Sequence, residues 1–286
     1  MHSLKIRSLL VLLLLTVTDW AMAQDSSLLW KISGNGLEKE SYLFGTIHII
    51  CKEDFLMDQR ITSAFDQSEQ LIMELDMSDP QLPVKMQQVS LNPGMKNLQS
   101  ELSDSTSSAL DDFLTTNYGV GLAQMGILKP LVLSSMVLVK LLPCPEVESY
   151  EGFFTARATA ASKPIAGLET VEFQMGMFDQ IPQSVQLAEL SKMLTGDDSR
   201  QELKKLVQTY QSENIHILHE AMNSSGMMAD YRGLMLDDRN RNWIAKIEES
   251  MRAKSVFVAV GAGHLGGELG VISLLKNAGY TVVPVR

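Results

Sequence analysis

Near its end the chain carries an almost unbroken apolar run, Ser255 to Val260 (SVFVAV), followed at once by Gly261-Ala262-Gly263-His264. A short run of branched and aromatic residues without alternation reads as a strand covered on both faces. Such a strand needs helices on either side of a sheet, which commits this part of the chain to α/β packing. The glycine that ends it lets the backbone turn sharply and approach its neighbours closely.

The same grammar recurs near the start. Ser27–Ser33 (SLLWKIS) and Ser41–Gly45 (SYLFG) flank Gly34-Asn35-Gly36 and read as a β-hairpin. The second strand runs into Gly45-Thr46-Ile47-His48. Gln70–Leu75 (QLIMEL) reads as a short buried strand that delivers Glu74, and Ile165–Gly167 as another that delivers Glu169. The middle is mainly helical, with candidates at 80–89, 105–117, 120–127, 130–141, 149–162, 183–194, 199–212 and 228–250. A helix over 267–277 and a strand over 280–285 close the chain. The expected fold class is α/β with α+β character: a small mixed sheet built from both chain ends, with a large helical insertion at about 80–160.

Residues 1–23 have the three parts of a secretory signal: Lys5 and Arg7, the apolar run Leu9–Val17, and Ala21-Met22-Ala23. They leave 24–286 as a single expected domain, exported, and periplasmic if the source is Gram-negative. The apolar run is too short for a comfortable membrane span, and no later stretch is long enough. The 34 acidic and 24 basic side chains give a net charge of −10, which argues against a nucleic-acid partner. Only two cysteines are present, Cys51 and Cys144, so tetrathiolate zinc is excluded. In an oxidising compartment they are candidates for a disulfide closing a loop of roughly 90 residues. Spacing alone leaves that pairing open, and oligomeric state is not legible.

Two strand–Gly-x-x-His turns, with glycines Gly45 and Gly261, place His48 and His264 where ligands of α/β proteins bind, at the carboxyl ends of strands. Imidazole suits Zn, Mn, Fe or Co, and a carboxylate usually completes such a site. The carboxylate is open between Glu74 and Glu169. Each histidine could equally close its turn by hydrogen bonding. His216 and His219 sit at helical spacing and read as a solvated face. There is no His-Glu-x-x-His and no Gly-x-Ser-x-Gly. The glycines of GAGHLGGELG miss the dinucleotide spacing. Arg239 reads either as part of a solvated helix face or as an arginine turned inward to a carboxylate or oxyanion.

The phrases SLLWKISGNGLEKESYLFGTIHI, LIMELD, KPIAGLETVEFQM, MLDDRNRNWIAKIEE and VFVAVGAGHLGGELGVISLLKNAGYTVVPV, in that order, resemble the TraB/GumN family, which is related to the Tiki proteases. In Tiki proteins the two Gly-x-x-His motifs and a glutamate form a metal-dependent peptidase centre. The resemblance therefore implies His48, Glu74 and His264 as ligands of a divalent ion (Mn, Co or Zn). Glu169 falls in the family's Gly-Leu-Glu-Thr motif. Arg239 and Asn240 fall in its Asp-Glu-Arg-Asn motif, written Asp237-Asp238-Arg239-Asn240 here. The implied activity is metal-dependent hydrolysis of a peptide or protein outside the cytoplasm. Glu74 would serve as ligand or base, Glu169 would move the proton, and Arg239 would stabilise the oxyanion. A more distant resemblance to erythromycin-esterase-like proteins keeps a metal-independent esterase, with His48 and His264 as acid and base, as an alternative. A non-enzymatic protein binding an envelope component or a signalling peptide is a third reading.

Overall fold

The computed structural model describes residues 26–286 except 197 and 225; the expected signal segment lies outside them. Six strands form one mixed sheet: β1 (Leu29–Ser33), β2 (Ser41–Thr46), β4 (Gln70–Met73), β6 (Ile165–Gly167), β7 (Val256–Gly261) and β8 (Thr281–Pro284). Their spatial order is β6-β4-β7-β2-β1-β8. The first four in that order are parallel; β1 runs antiparallel to β2 and to β8. A separate ribbon pairs β3 (Ile50–Cys51) with β5 (Val147–Glu148), antiparallel. The expected mixed sheet from both chain ends is present, with β4 and β6 from the interior completing it.

β7 is central, and Val256–Val260 are buried throughout, as the unalternating sequence required. Successive side chains of a strand point to opposite faces. On one face Phe257 joins Phe44 of β2, Phe65 of the helix Gln59–Gln67, and Phe154 of the helix Tyr150–Ala160. Ring centroids in this cluster lie 4.9–6.0 Å apart. Such pairs each contribute roughly 0.5–1.5 kcal/mol beyond their buried area. They fix the helix Tyr150–Ala160 over the end of β2, and so position its first-turn acid. The helix Asp238–Ala253 buries Trp243, Ile247 and Met251 at four-residue spacing and packs on β7. The helices Asp104–Tyr118, Pro130–Leu141 and Gln183–Thr195 share a second apolar cluster built on Leu110, Leu114, Leu133, Val137, Leu187 and Leu190.

Several boundaries differ from the expected ones for local reasons. The helix expected over 105–117 spans Asp104–Tyr118 and is capped by Ser103, its Oγ accepting from Thr106 N–H. The single helix expected over 228–250 is interrupted by a wide π turn at Gly233–Asp237, after which the helix Asp238–Ala253 begins. The helix expected from 267 starts at Val271, because Gly267 takes φ +84°, which a helix interior cannot contain. Asn35 and both flanking glycines have positive φ, as the turn chemistry implied. Among the described residues, no helix is long and apolar enough to cross a membrane.

Candidate functional site

Because β6, β4, β7 and β2 are adjacent and parallel, their carboxyl ends line one edge of the sheet. Glu169, Glu74, His264 and His48 follow those ends in the same spatial order. The two distant Gly-x-x-His turns thus meet side by side, through the parallel pairing Gly45↔Val260 and Thr46↔Gly261. Gly45 has no room for a side chain. A Cβ there would lie 2.6 Å from Leu265 Cδ1 and 3.0 Å from Ala262 Cβ, so the second turn packs directly on the first.

Gly261 marks the centre. A point one bond out from its Cα, where a Cβ would sit, lies 3.3 Å from Glu74 Oε1, 3.6 Å from His264 Cδ2 and 4.0 Å from His48 Nε2. The Gly261 N–H donates to Glu74 Oε1 at 2.9 Å.

The two histidines differ sharply. His264 is buried. Its Nδ1–H donates to Asn240 Oδ1 at 2.6 Å, and its Nε2 accepts from Arg239 Nη1 at 3.1 Å. This fixes the tautomer and commits the only free lone pair of the ring. Burial, reinforced by the adjacent Arg239 charge, pushes its pKa down to about 3, so it is neutral at physiological pH. The side chain of His48 is 70% exposed and its Nδ1 lies 3.0 Å from Glu151 Oε1. That bond holds the imidazolium up to about 9.

Arg239 ties the carboxylates together. Its Nη2 donates to Glu74 Oε2 at 2.6 Å and to Glu169 Oε2 at 2.8 Å, and its Nε donates to Glu169 Oε1 at 3.0 Å. Nη1 also reaches the Met235 carbonyl at 3.1 Å, at the π turn. Its five N–H donors are thus matched by partners, and its side chain is 8% exposed. Glu169 is equally engaged: Trp243 Nε1–H and Gln174 Nε2–H donate to it at 2.8 and 3.1 Å. Gln174 also donates to Glu74 Oε2 at 3.1 Å. Burial would raise the pKa of Glu74, but the surrounding cationic groups and the Gly261 N–H win and hold it well below the usual carboxylate range.

The structure brings together His48, Glu74, Glu169, Arg239, Asn240 and His264, and adds Glu151, Gln174 and Trp243. His216 and His219 stay outside the cluster, His216 exposed as expected and His219 half-buried against Gly266 and Gly267. Glu151 bridges the Thr46 hydroxyl at 3.0 Å and the Ser149 hydroxyl at 3.0 Å as well as His48. The ribbon of β3 and β5 holds this pair in register, and the Cys51–Cys144 disulfide (Cα–Cα 5.8 Å) staples it.

His48, Glu74 and His264 have the donor chemistry for a divalent ion, but the lone pair of His264 Nε2 is spent on Arg239. An ion drawing on that nitrogen would sit against a guanidinium that already supplies positive charge to Glu74. The arrangement does not fit a three-ligand ion. Elsewhere, Cys51, Glu53 and Asp54 bring three ligand-type atoms within 4.8 Å of one another. The Cys51 sulfur is bonded to Cys144, so no thiolate is available and two carboxylates remain.

No curated protein and no solved structure matches the chain. The sequence profile of the TraB/PrgY/gumN family matches residues 28–284, which takes in every strand of the sheet and every residue of the site. The chain belongs to the TraB/PrgY/gumN family.

Proposed function

We propose that this protein is a hydrolase of carbonyl substrates, acting on peptides outside the cytoplasm, with His48 and Glu74 as its acid and base. One observation carries the reading: His48 Nε2 and Glu74 Oε1 converge on Gly261, and their surroundings push their proton affinities apart. A pair tuned in opposite directions is what an acid–base mechanism needs.

Glu74 Oε1 keeps a lone pair beyond the one used by the Gly261 N–H. It orients the attacking water and takes its proton as the oxygen bonds to the substrate carbonyl carbon. His48, protonated through its contact with Glu151, gives its Nε2 proton to the leaving group as the tetrahedral intermediate collapses. The proton on Glu74 then returns to His48 through water. Arg239 does not meet the substrate, since its donors are occupied. It holds Glu74 ionised and in place, while Glu169, Gln174 and Trp243 hold Arg239. No step runs through a metal ion. The disulfide supports the exported reading, because such bonds persist in oxidising compartments.

The test is cleavage of a quenched fluorescent peptide library by the purified protein, by His48→Ala and by Glu74→Gln, each after exhaustive chelation. Cleavage by the wild-type protein alone, with both variants at least about a hundredfold slower, is expected. Equal rates in all three reject the assignment.

A further inference from the structure

At the carboxyl end of β6 lies a hollow of about 410 Å3, walled by Leu168, Thr170, Phe173, Asn242, Trp243 and Lys246. It shares Glu169 and Trp243 with the charge network around Arg239, so it adjoins the reaction space. Three features give it a chemical character. Phe173 is 47% exposed at its wall, an aromatic face left for something to cover. Lys246 Nζ donates to the Leu168 carbonyl, which holds the ammonium at the hollow. An ammonium has three N–H groups, so two remain, and among the described residues Lys246 forms no ion pair. Asn242 stands one helical turn earlier on the same face of the helix Asp238–Ala253. The oxygens of Glu169, the acid beside it, are turned away into bonds with Arg239, Trp243 and Gln174. The strand above it, β6, is an edge of the sheet. An extended peptide can add main-chain hydrogen bonds at such an edge.

We propose that this hollow receives the carboxy-terminal residue of a peptide, with an apolar side chain against Phe173 and the terminal carboxylate on Lys246 and Asn242. The carboxylate meets the cation that lacks an acidic partner, and the apolar group covers the exposed ring. That the bound peptide is a substrate rests on the hydrolase reading above. The subsite selects free carboxy termini and disfavours amidated ones.

Binding separates the two claims. An acetylated hexapeptide ending in phenylalanine is titrated calorimetrically, as free acid and as carboxamide, into the His48→Ala protein, which cannot turn it over. The acid should bind about tenfold more tightly, the scale of one charge-assisted hydrogen bond. Lys246→Met should abolish the preference, and Lys246→Arg should keep it, which excludes misfolding as the cause. Phe173→Ala should weaken both peptides about tenfold. Equal binding of acid and amide, or a preference that survives Lys246→Met, overturns the subsite. If the preference is present but the wild-type protein cleaves neither peptide, the subsite stands and the hydrolase reading falls.

Discussion

The guanidinium of Arg239 lies 3.1 Å from Nε2 of His264 and 2.6 Å from Oε2 of Glu74, between two groups that the family resemblance assigns to a metal. A fixed organic cation therefore supplies the positive charge that keeps Glu74 ionised. His264, neutral and bonded at both ring nitrogens, becomes part of the wall. In the proposed mechanism the reacting groups are His48, whose side chain is 70% exposed, and Glu74, whose Oε1 lies beside Gly261.

Gly261→Ala tests where the reaction space is. The new methyl would sit 3.3 Å from Glu74 Oε1 and 4.0 Å from His48 Nε2, tight but without a severe clash, and the φ of −51° is acceptable to alanine. The variant should fold, with thermal stability within about 1 kcal/mol of wild type, and hydrolysis should fall at least about a hundredfold. Gly45→Ala is the contrast. Its methyl meets Leu265 at 2.6 Å, and overpacking there should cost about 1–3 kcal/mol in a urea titration.

Glu151→Gln should lower the His48 pKa from about 9 towards its ordinary value of 6.5, read by NMR titration of the ring Cε1 proton. The sign for stability follows. A raised imidazole pKa stabilises the fold fully below 6.5, and that contribution disappears as pH rises through about 9. The stability gap between wild type and Glu151→Gln should be largest below pH 6.5 and should shrink towards pH 9. A gap that widens with pH contradicts the pairing.

Arg239→Met leaves Glu74 and Glu169 buried without their counter-charge. Removing one partner of a buried ion pair costs about 3–5 kcal/mol, visible as a shift of the urea midpoint. Adding Glu74→Gln and Glu169→Gln to the same chain should recover part of the loss, because the uncompensated charges then go too. No recovery would mean that Arg239 acts by packing alone.

Cys51→Ser with Cys144→Ser opens a crosslink across 93 positions, worth about 4.6 kcal/mol in the chain-entropy account. The ribbon of β3 and β5 also aligns His48 with Glu151. Hydrolysis should therefore fall under conditions where the variant is still folded by circular dichroism. Unchanged stability and unchanged rate would remove the staple from the account.

The sheet and the strand-end residues were legible in the sequence because each rests on a local signal: an apolar run, then a glycine, then a polar group. The parallel alignment of β2 with β7 places His48 and His264 together, and the repeated Gly-x-x-His turn pointed to it. The partner of His48 carried no such signal. Glu151 stands in the first turn of a helix, where an acid is expected simply for the helix dipole. Its role depends on a long-range contact set by β3 and β5, strands of two residues each, too short to show a period. The break at Gly233–Asp237 was hidden for a related reason. A π turn adds one residue without disturbing the apolar count enough to read, yet it brings the Met235 carbonyl to the Arg239 guanidinium. The sequence left Arg239 open between a solvated face and an inward turn to a carboxylate or an oxyanion; burial and two acidic partners select the carboxylates.

The most direct test is the rate of peptide hydrolysis by protein stripped of divalent ions, compared with the same protein resupplied with Mn, Co or Zn. A charge network centred on Arg239 predicts one rate in both, lost in His48→Ala and in Glu74→Gln. Activity that vanishes on stripping and returns with an ion would contradict it, and would mean that Arg239 yields its place at His264 to a metal.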